Sequence, residues 1–203
     1  MKNHFVEYLK IEIINAYGEN PKLSPDFPRI INKKNWQRLV NKIDTKKVIF
    51  GGQTDIEDYY ISPTLIEENS LDTLIMQDEI FGPLLPILTY KNETEINTIL
   101  SKYEKPLAFY IFTDDKKFAE RIITKHSFGG GCINETIMHF SNSRLPFGGV
   151  GHSGIGAYHG RFSFDTFSHH KGVTKKGTWL DLPLRYAPYS NKLDSIKKIV
   201  KWL

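Results

Sequence analysis

The spacing of hydrophobic residues in the first fifty positions predicts two helices followed by a strand. Residues 3–17 repeat apolar side chains at a helical interval, and Gly18 ends that pattern. The apolar stripe of this helix comprises Phe5, Leu9 and Ile13, with Val6 and Ile14 beside it. Asn32, a favoured N-cap residue, opens a second helix. Residues 47–50 then form a predicted buried strand that two glycines close.

Beyond residue 84, strands and helices alternate. The predicted strands cover residues 84–90, 107–113 and 132–134. One intervening helix starts with a capping box of Asn92 and Glu95, and the other is capped by Asp114. This order predicts an α/β fold, a parallel sheet with crossover helices. Because such sheets bind ligands at the carboxyl ends of their strands, residues 135–144 and the following glycine-rich loop are the expected location of a site.

The C-terminal quarter is predicted to contain one more strand and a terminal helix. Residues 162–173 have strand character, and residues 192–203 form a short basic amphipathic helix. Such a helix could lie on an acidic membrane surface, which would make the protein a membrane-tethered enzyme. Because the helix offers few apolar residues, packing against its own domain is the favoured interpretation.

Composition narrows the class of protein. With 40% hydrophobic and 13% aromatic residues among 203, the chain is expected to be globular. The net charge of +4 is spread over separate lysine pairs, which argues against nucleic acid as a partner. One cysteine allows no internal disulfide, and no apolar stretch reaches the ~20 residues of a transmembrane segment. We therefore expect a cytoplasmic protein.

Several residues that could belong to a functional site are better explained by a structural role. Residues 149–154 fit the Gly-x-Gly-x-x-Gly string, but no acidic residue follows at the distance that dinucleotide binding requires. Cys132 lies in a predicted buried strand, where a free cysteine usually acts as a small apolar residue. The seven histidines show none of the spacings of a zinc site, so no metal is expected.

Residues 76–83 combine an acidic pair, an aromatic residue and a Gly-Pro turn before a predicted strand. A carboxylate such as Glu79 can accept hydrogen bonds from both hydroxyls of a vicinal diol. Phe81 could pack on a flat heterocycle. Taken alone, the segment is explained as well by an exposed acidic turn with a core phenylalanine.

In combination with other motifs, the segment resembles the aldehyde dehydrogenase superfamily. Its core reads Glu79-Ile80-Phe81-Gly82-Pro83, similar to the Glu-x-Phe-Gly-Pro motif, and Pro106-Leu107-Ala108 resembles the family's Pro-Leu-Ala segment. Residues 145–156, 158–160 and 164–169 look like the class 3 version. The order and spacing hold from about Met1 through Tyr186. The chain is therefore identified as the C-terminal portion of a class 3-type catalytic domain.

The resemblance implies roles for individual residues. Glu79 would hold the ribose hydroxyls of the nicotinamide half of NAD or NADP, and Phe81 would lie against the nicotinamide. Asn134 matches an asparagine that supports the catalytic loop. The aldehyde pocket would be lined by Ile137, Phe140 and Phe147. Residues 1–160 would be a partial catalytic domain, 161–178 an oligomerisation strand that makes the intact family a homo-oligomer, and 179–203 a tail.

The resemblance also implies what these residues do not contain. The family's nucleophilic cysteine, general base, oxyanion asparagine and Rossmann domain would all precede residue 1, so no catalytic residue is expected here. Residues 52–55 read Gly-Gln-Thr-Asp, similar to the family's Gly-Gln-x-Cys but with Asp55 at the nucleophile's place. Glu135 replaces a usual aspartate, with little effect expected. Two functions stay open: aldehyde oxidation together with a separate N-terminal half, or a non-catalytic remnant that associates through its dimerisation strand.

Overall fold

The computed structural model describes residues 1–179, 181–189 and 191–201. The helices are α1 (Lys2–Tyr17), α2 (Lys33–Val40), α3 (Glu93–Ser101), α4 (Lys116–Lys125), α5 (Met138–Ser141), α6 (Arg161–Thr166) and α7 (Leu193–Val200). The strands are β1 (Val48–Phe50), β2 (Thr54–Asp55), β3 (Tyr60–Ile61), β4 (Thr64–Glu67), β5 (Leu84–Ile87), β6 (Ala108–Ile111) and β7 (Gly130–Ile133). No helix in the described ranges is long and apolar enough to cross a membrane.

A three-stranded sheet in the order β1-β4-β5 carries a helix on each face. Strand β4 runs antiparallel to β1 and parallel to β5. Because successive side chains of a strand point to opposite faces, Leu65 packs with Val6 of α1 while Ile66 packs with Leu39 of α2. The α2 side is tied further by Trp36, whose indole N–H donates to the Tyr60 carbonyl at 2.9 Å.

A second unit joins β6 to β7 in parallel through α4. Ile111 of β6 packs with Ala119 and Ile122 of α4, which closes the small core of this βαβ unit. The carboxyl ends of both strands lead into the segments that carry Thr113 and Asn134. The predicted α/β class with parallel strands and crossover helices is confirmed.

Within that class, the expected pairing of strands is wrong in one respect. The alternation placed residues 84–90, 107–113 and 132–134 in one sheet, but β5 pairs with β4, and β6 pairs with β7. Strand β4 was not predicted, although Leu65 and Ile66 are among the most buried residues. Its apolar run is short, and Ser62-Pro63 separates it from β3, so no period of two is visible in the sequence.

The predicted strand at residues 162–173 is also wrong, because its first part is helix α6. The side chain of Thr166 donates to the Ala157 carbonyl at 2.7 Å, and Ser163 accepts from the His159 N–H at 3.0 Å. These bonds fasten a helical turn onto the preceding loop. None of the described residues from 167 to 173 lies in a strand of this chain, and pairing with a second chain stays a prediction.

Three smaller predictions need adjustment. Helix α4 is capped by Asp115 rather than Asp114, because Asp115 accepts from the N–H groups of Lys117 and Phe118. In α1 the buried residue is Val6, whereas Phe5 faces outward. The predicted helix at 192–203 is observed as α7, and its last two residues lie outside the described part of the chain.

Candidate functional site

The segment that carries Glu79 is fastened to α2 through its backbone. This segment, residues 77–83, is called the Glu79 loop below and leads directly into β5. The Arg38 guanidinium donates to the carbonyl of Ile80 at 2.8 Å and lies 3.4 Å from the carbonyl of Glu79. Gly82 lies so close to Leu39 that a Cβ there would come within 2.5 Å of Leu39 Cδ1. The backbone is therefore fixed, and Ile80 packs against the core, while the side chains of Glu79 and Phe81 project away.

The two side chains assigned to the cofactor are both available. Phe81 is 79% exposed, so the alternative of a core phenylalanine is wrong. Its φ of 50° is unusual for a bulky residue and turns the chain between Ile80 and Gly82. Glu79 is exposed, and within the described residues its carboxylate makes no ion pair or hydrogen bond. The loop thus presents a free acceptor and an apolar ring on a fixed backbone.

Asn134 lies immediately after β7 and joins the ends of the two parallel strands. Its backbone N–H donates to the Ile111 carbonyl at 2.8 Å, and its side-chain amide bonds to the backbone of Thr113. Asn134 has a φ of 54°, a left-handed conformation in which asparagine is enriched. Its position at the carboxyl edge of β7 is compatible with the supporting role expected of it.

An aromatic cluster covers the segment beyond β7. Phe147 is its centre: the ring lies 5.0 Å from Phe140 and 5.5 Å from Tyr158, edge to face in both pairs. Phe147 and Tyr158 also exchange backbone hydrogen bonds of 3.1 and 2.9 Å. The cluster as defined here consists of Tyr110, His139, Phe140, Phe147, Tyr158 and His159.

Of the predicted pocket residues, Phe140 and Phe147 therefore come together. Ile137 is the N-cap of the short helix α5, which bears Phe140, and it is exposed, with a φ of 62°. Exposed Ile137 and half-exposed Phe140 give the cluster an apolar outer surface. The Glu79 loop takes its contacts from α2 instead, so the predicted residues form two groups rather than one.

His139 is a member of the cluster that the sequence analysis did not single out. It is buried, its Nδ1 lies 3.6 Å from the Cys132 sulfur, and its Nε2 has no hydrogen-bond partner among the described residues. The signal in the sequence was weak, since seven positions separate Cys132 from His139. No set of three or more His, Cys, Asp or Glu in the described residues could hold a metal ion.

The glycine-rich string at 149–154 forms a compact turn rather than a phosphate cradle. It contains a three-residue 3₁₀ turn, Gly151–Ser153, and does not open a helix whose N-terminus could face a phosphate. A Cβ on Gly149 would come within 2.1 Å of the Ser153 carbonyl oxygen, so glycine is required for the loop to fold back on itself. The loop brings Tyr158 onto Phe147.

Comparisons with known proteins identify the family to which this chain belongs. The model of the aldehyde dehydrogenase family matches residues 4–173. The chain belongs to the aldehyde dehydrogenase family. It is 43% identical to 4,4'-diaponeurosporen-aldehyde dehydrogenase of Staphylococcus aureus, over 99% of this chain and 44% of that protein. It is 45% identical to aldehyde dehydrogenase family 3 member H1 of Arabidopsis thaliana, over 96% of this chain and 41% of that protein.

A solved structure agrees with the sequence comparison. The substrate-bound state of Staphylococcus aureus AldH superposes with a TM-score of 0.85 at 43% identity, over 98% of this chain and 44% of that one. The class 3 resemblance is thereby confirmed. The chain spans less than half the length of the curated aldehyde dehydrogenases that it matches.

Proposed function

We propose that these residues form the C-terminal part of the catalytic domain of an NAD(P)-dependent aldehyde dehydrogenase, which oxidises an aldehyde to a carboxylic acid. The observation that carries the proposal is the Glu79 loop, whose backbone is held by Arg38 while Glu79 and Phe81 stay exposed. The fit to NAD(P) is chemical: a free carboxylate accepts both hydroxyls of a ribose, and a phenyl ring offers a face to a flat heterocycle. When bound, NAD(P) supplies a hydride acceptor.

The aldehyde would be held at the aromatic cluster. Ile137 and Phe140 would exclude water from the apolar part of the substrate, and Phe147 would border the reacting carbon. Asn134 would keep this edge of β6 and β7 in place. None of these side chains is a nucleophile, so their proposed work is to bind and to orient.

The nucleophile, the oxyanion donor and the general base are proposed to come from residues outside these 203. Acyl transfer through a thiolate needs all three groups. Asp55 lies in the short hairpin of β2 and β3, and its carboxylate forms an ion pair with Lys22. Cys132 lies within β7 beside His139, at a strand position and not in a loop. We therefore propose that this chain works with an upstream half, either associated or continuous with it.

The test joins this chain to the part of the Staphylococcus aureus relative that it does not match. The two pieces are purified, mixed with NAD(P)+ and an aldehyde, and reduced nicotinamide is followed by absorbance. We expect formation only in the mixture. A single-chain fusion of the same pieces removes association as a variable. No turnover by either arrangement would mean that the enzymatic proposal is wrong.

A second candidate function rests on a different observation. Phe164, Phe167 and Val173 are all highly exposed, with Phe167 at 88%. Among the described residues, 167–173 lie in no strand, and exposed apolar side chains in such a segment suit association with another copy. We therefore keep a non-catalytic interaction module, acting through residues 161–178, as the alternative. A dimer in light scattering that becomes a monomer on Phe167→Asp, together with an inactive fusion, would favour it.

A further inference from the structure

Lys42 is buried to a degree that is rare for a lysine. It lies just beyond the end of α2, and its side chain is only 3% exposed. Lysines are almost never fully buried unless they are paired, because an unpaired ammonium in the interior is strongly disfavoured. Its Nζ donates to the Leu74 carbonyl at 2.9 Å and forms an ion pair with Asp78.

One of these partners, Leu74, precedes the Glu79 loop, and the other, Asp78, lies within it. Leu74 begins a 3₁₀ turn, Leu74–Met76, whose Ile75 lies in the core with Leu39. Asp78 directly precedes Glu79, and its carboxylate is mostly exposed. The hydrogen bond from Lys42 lowers the pKa of Asp78, which favours the ionised carboxylate.

Arg38, four residues before Lys42, completes the arrangement. Arg38 binds the carbonyls that follow Asp78. Lys42 therefore holds Asp78, the residue before Glu79, and Arg38 holds Ile80, the residue after it. A functional side chain is held accurately only when the residues supporting it are themselves locked by hydrogen bonds and packing.

We propose that Lys42 is a positioning residue for the ribose site of NAD(P), acting on Glu79 through its pairing with Asp78. This inference rests on the proposed function of Glu79 and adds to it a residue outside the loop. Because its Nζ is engaged by Leu74 and Asp78, Lys42 would act without touching the cofactor or the substrate itself. Its contribution is to restrict the backbone from which Glu79 and Phe81 project, so that less ordering is left to occur on binding.

The experiment compares Lys42→Met, Asp78→Asn, the double variant and Lys46→Met. Methionine retains most of the apolar stem of lysine and removes the charge. Asp78→Asn breaks the same ion pair from its exposed side. Lys46 is exposed and is the matched control, since it loses the same charge four residues away. Amide hydrogen exchange is measured on the 203-residue chain, and KM values on the active fusion.

We expect faster exchange at amides 78–82 in Lys42→Met and Asp78→Asn, with α4 unchanged. In the fusion, KM for NAD(P) should rise roughly tenfold, since small displacements remote from the chemistry have effects of this size or larger. KM for the aldehyde should stay within about twofold, and the double variant should be no worse than either single one. Equal behaviour of Lys42→Met and Lys46→Met in hydrogen exchange overturns the inference. An inactive wild-type fusion overturns the proposed function instead, and exchange still decides the role of Lys42.

Discussion

The side-chain amide of Asn134 pairs with the backbone of Thr113 through both of its polar atoms. The Thr113 N–H donates to Asn134 Oδ1 at 2.8 Å, and Asn134 Nδ2 donates to the Thr113 carbonyl at 2.9 Å. The parallel pairing of β6 and β7 ends at Ile111 and Ile133. The amide therefore stands in for a peptide group and extends this pairing past the last strand residues, towards the aromatic cluster.

Replacing Asn134 by aspartate should destabilise the chain. An ionised carboxylate still accepts from the Thr113 N–H, but it cannot donate to the Thr113 carbonyl and repels it. We expect a loss of about 0.5–1.5 kcal/mol in the free energy of unfolding, measured by urea denaturation. Asn142→Asp is the matched control, because Asn142 only accepts, from the Arg144 N–H at 3.0 Å. Equal losses in the two variants would contradict this account of Asn134.

The sequence predicted the elements whose ends are marked by local hydrogen bonds. Asn32 and Asn92 cap α2 and α3 as expected, each accepting from the N–H three residues ahead. The expected capping box at Asn92 is only half formed, because the Glu95 carboxylate accepts from Lys91 instead. Capping hydrogen bonds join residues only three or four positions apart, and they can therefore be predicted from the sequence without knowledge of the fold.

The features that were missed depend on contacts between distant residues. Strand β4 is defined by its partners β1 and β5, and its four residues carry no repeat of their own. Helix α6 was predicted as a strand, since the bond from Thr166 back to Ala157 cannot be seen in residue types. In the site, the burial of His139 and the exposure of Phe81 likewise follow from packing rather than from composition.

The outer face of the aromatic cluster should determine preference among aldehydes. Phe140→Ala removes apolar surface that we propose contacts the tail of the substrate. In the active fusion, KM for an aldehyde with a long apolar tail should rise about tenfold or more, since burying a large side chain contributes about 1.5–3 kcal/mol. KM for a two-carbon aldehyde should change little. Ile155→Ala is the control, because Ile155 is 99% exposed. A similar change for both aldehydes would place Phe140 outside the pocket.

The carboxylate of Glu79 should contribute to cofactor binding and not to the stability of the fold. Glu79→Gln keeps the shape of the side chain but weakens its hydrogen bonds to hydroxyl groups, which for a charged acceptor contribute about 1.5–3 kcal/mol. KM for NAD(P) in the fusion should rise by about tenfold or more, with thermal unfolding unchanged. Glu120→Gln, an exposed change on α4, serves as the control. A large loss of stability in Glu79→Gln would show that the side chain has a structural role.

A buried carboxylate next to the sheet should make the fold sensitive to acid. The side chain of Glu68 is 1% exposed. Burial opposes its ionisation, but hydrogen bonds from Lys47 at 2.7 Å and Thr73 at 2.8 Å, with the N–H groups of Ser70 and Asn69, outweigh burial. Together they lower the pKa of Glu68 from 4.5 to about 2.

Because the pKa of Glu68 is lower in the folded chain than in the unfolded one, ionised Glu68 stabilises the fold above pH 4.5. That contribution should decrease as the pH falls from 4.5 towards about 2. Glu68→Gln should be less stable at neutral pH, and its free energy of unfolding should vary less across this window. Thr73→Val, which removes one of the hydrogen bonds, should fall between the two. Urea denaturation at a series of pH values measures the slopes. A Glu68→Gln slope equal to that of the wild type would show that another carboxylate governs the acid response.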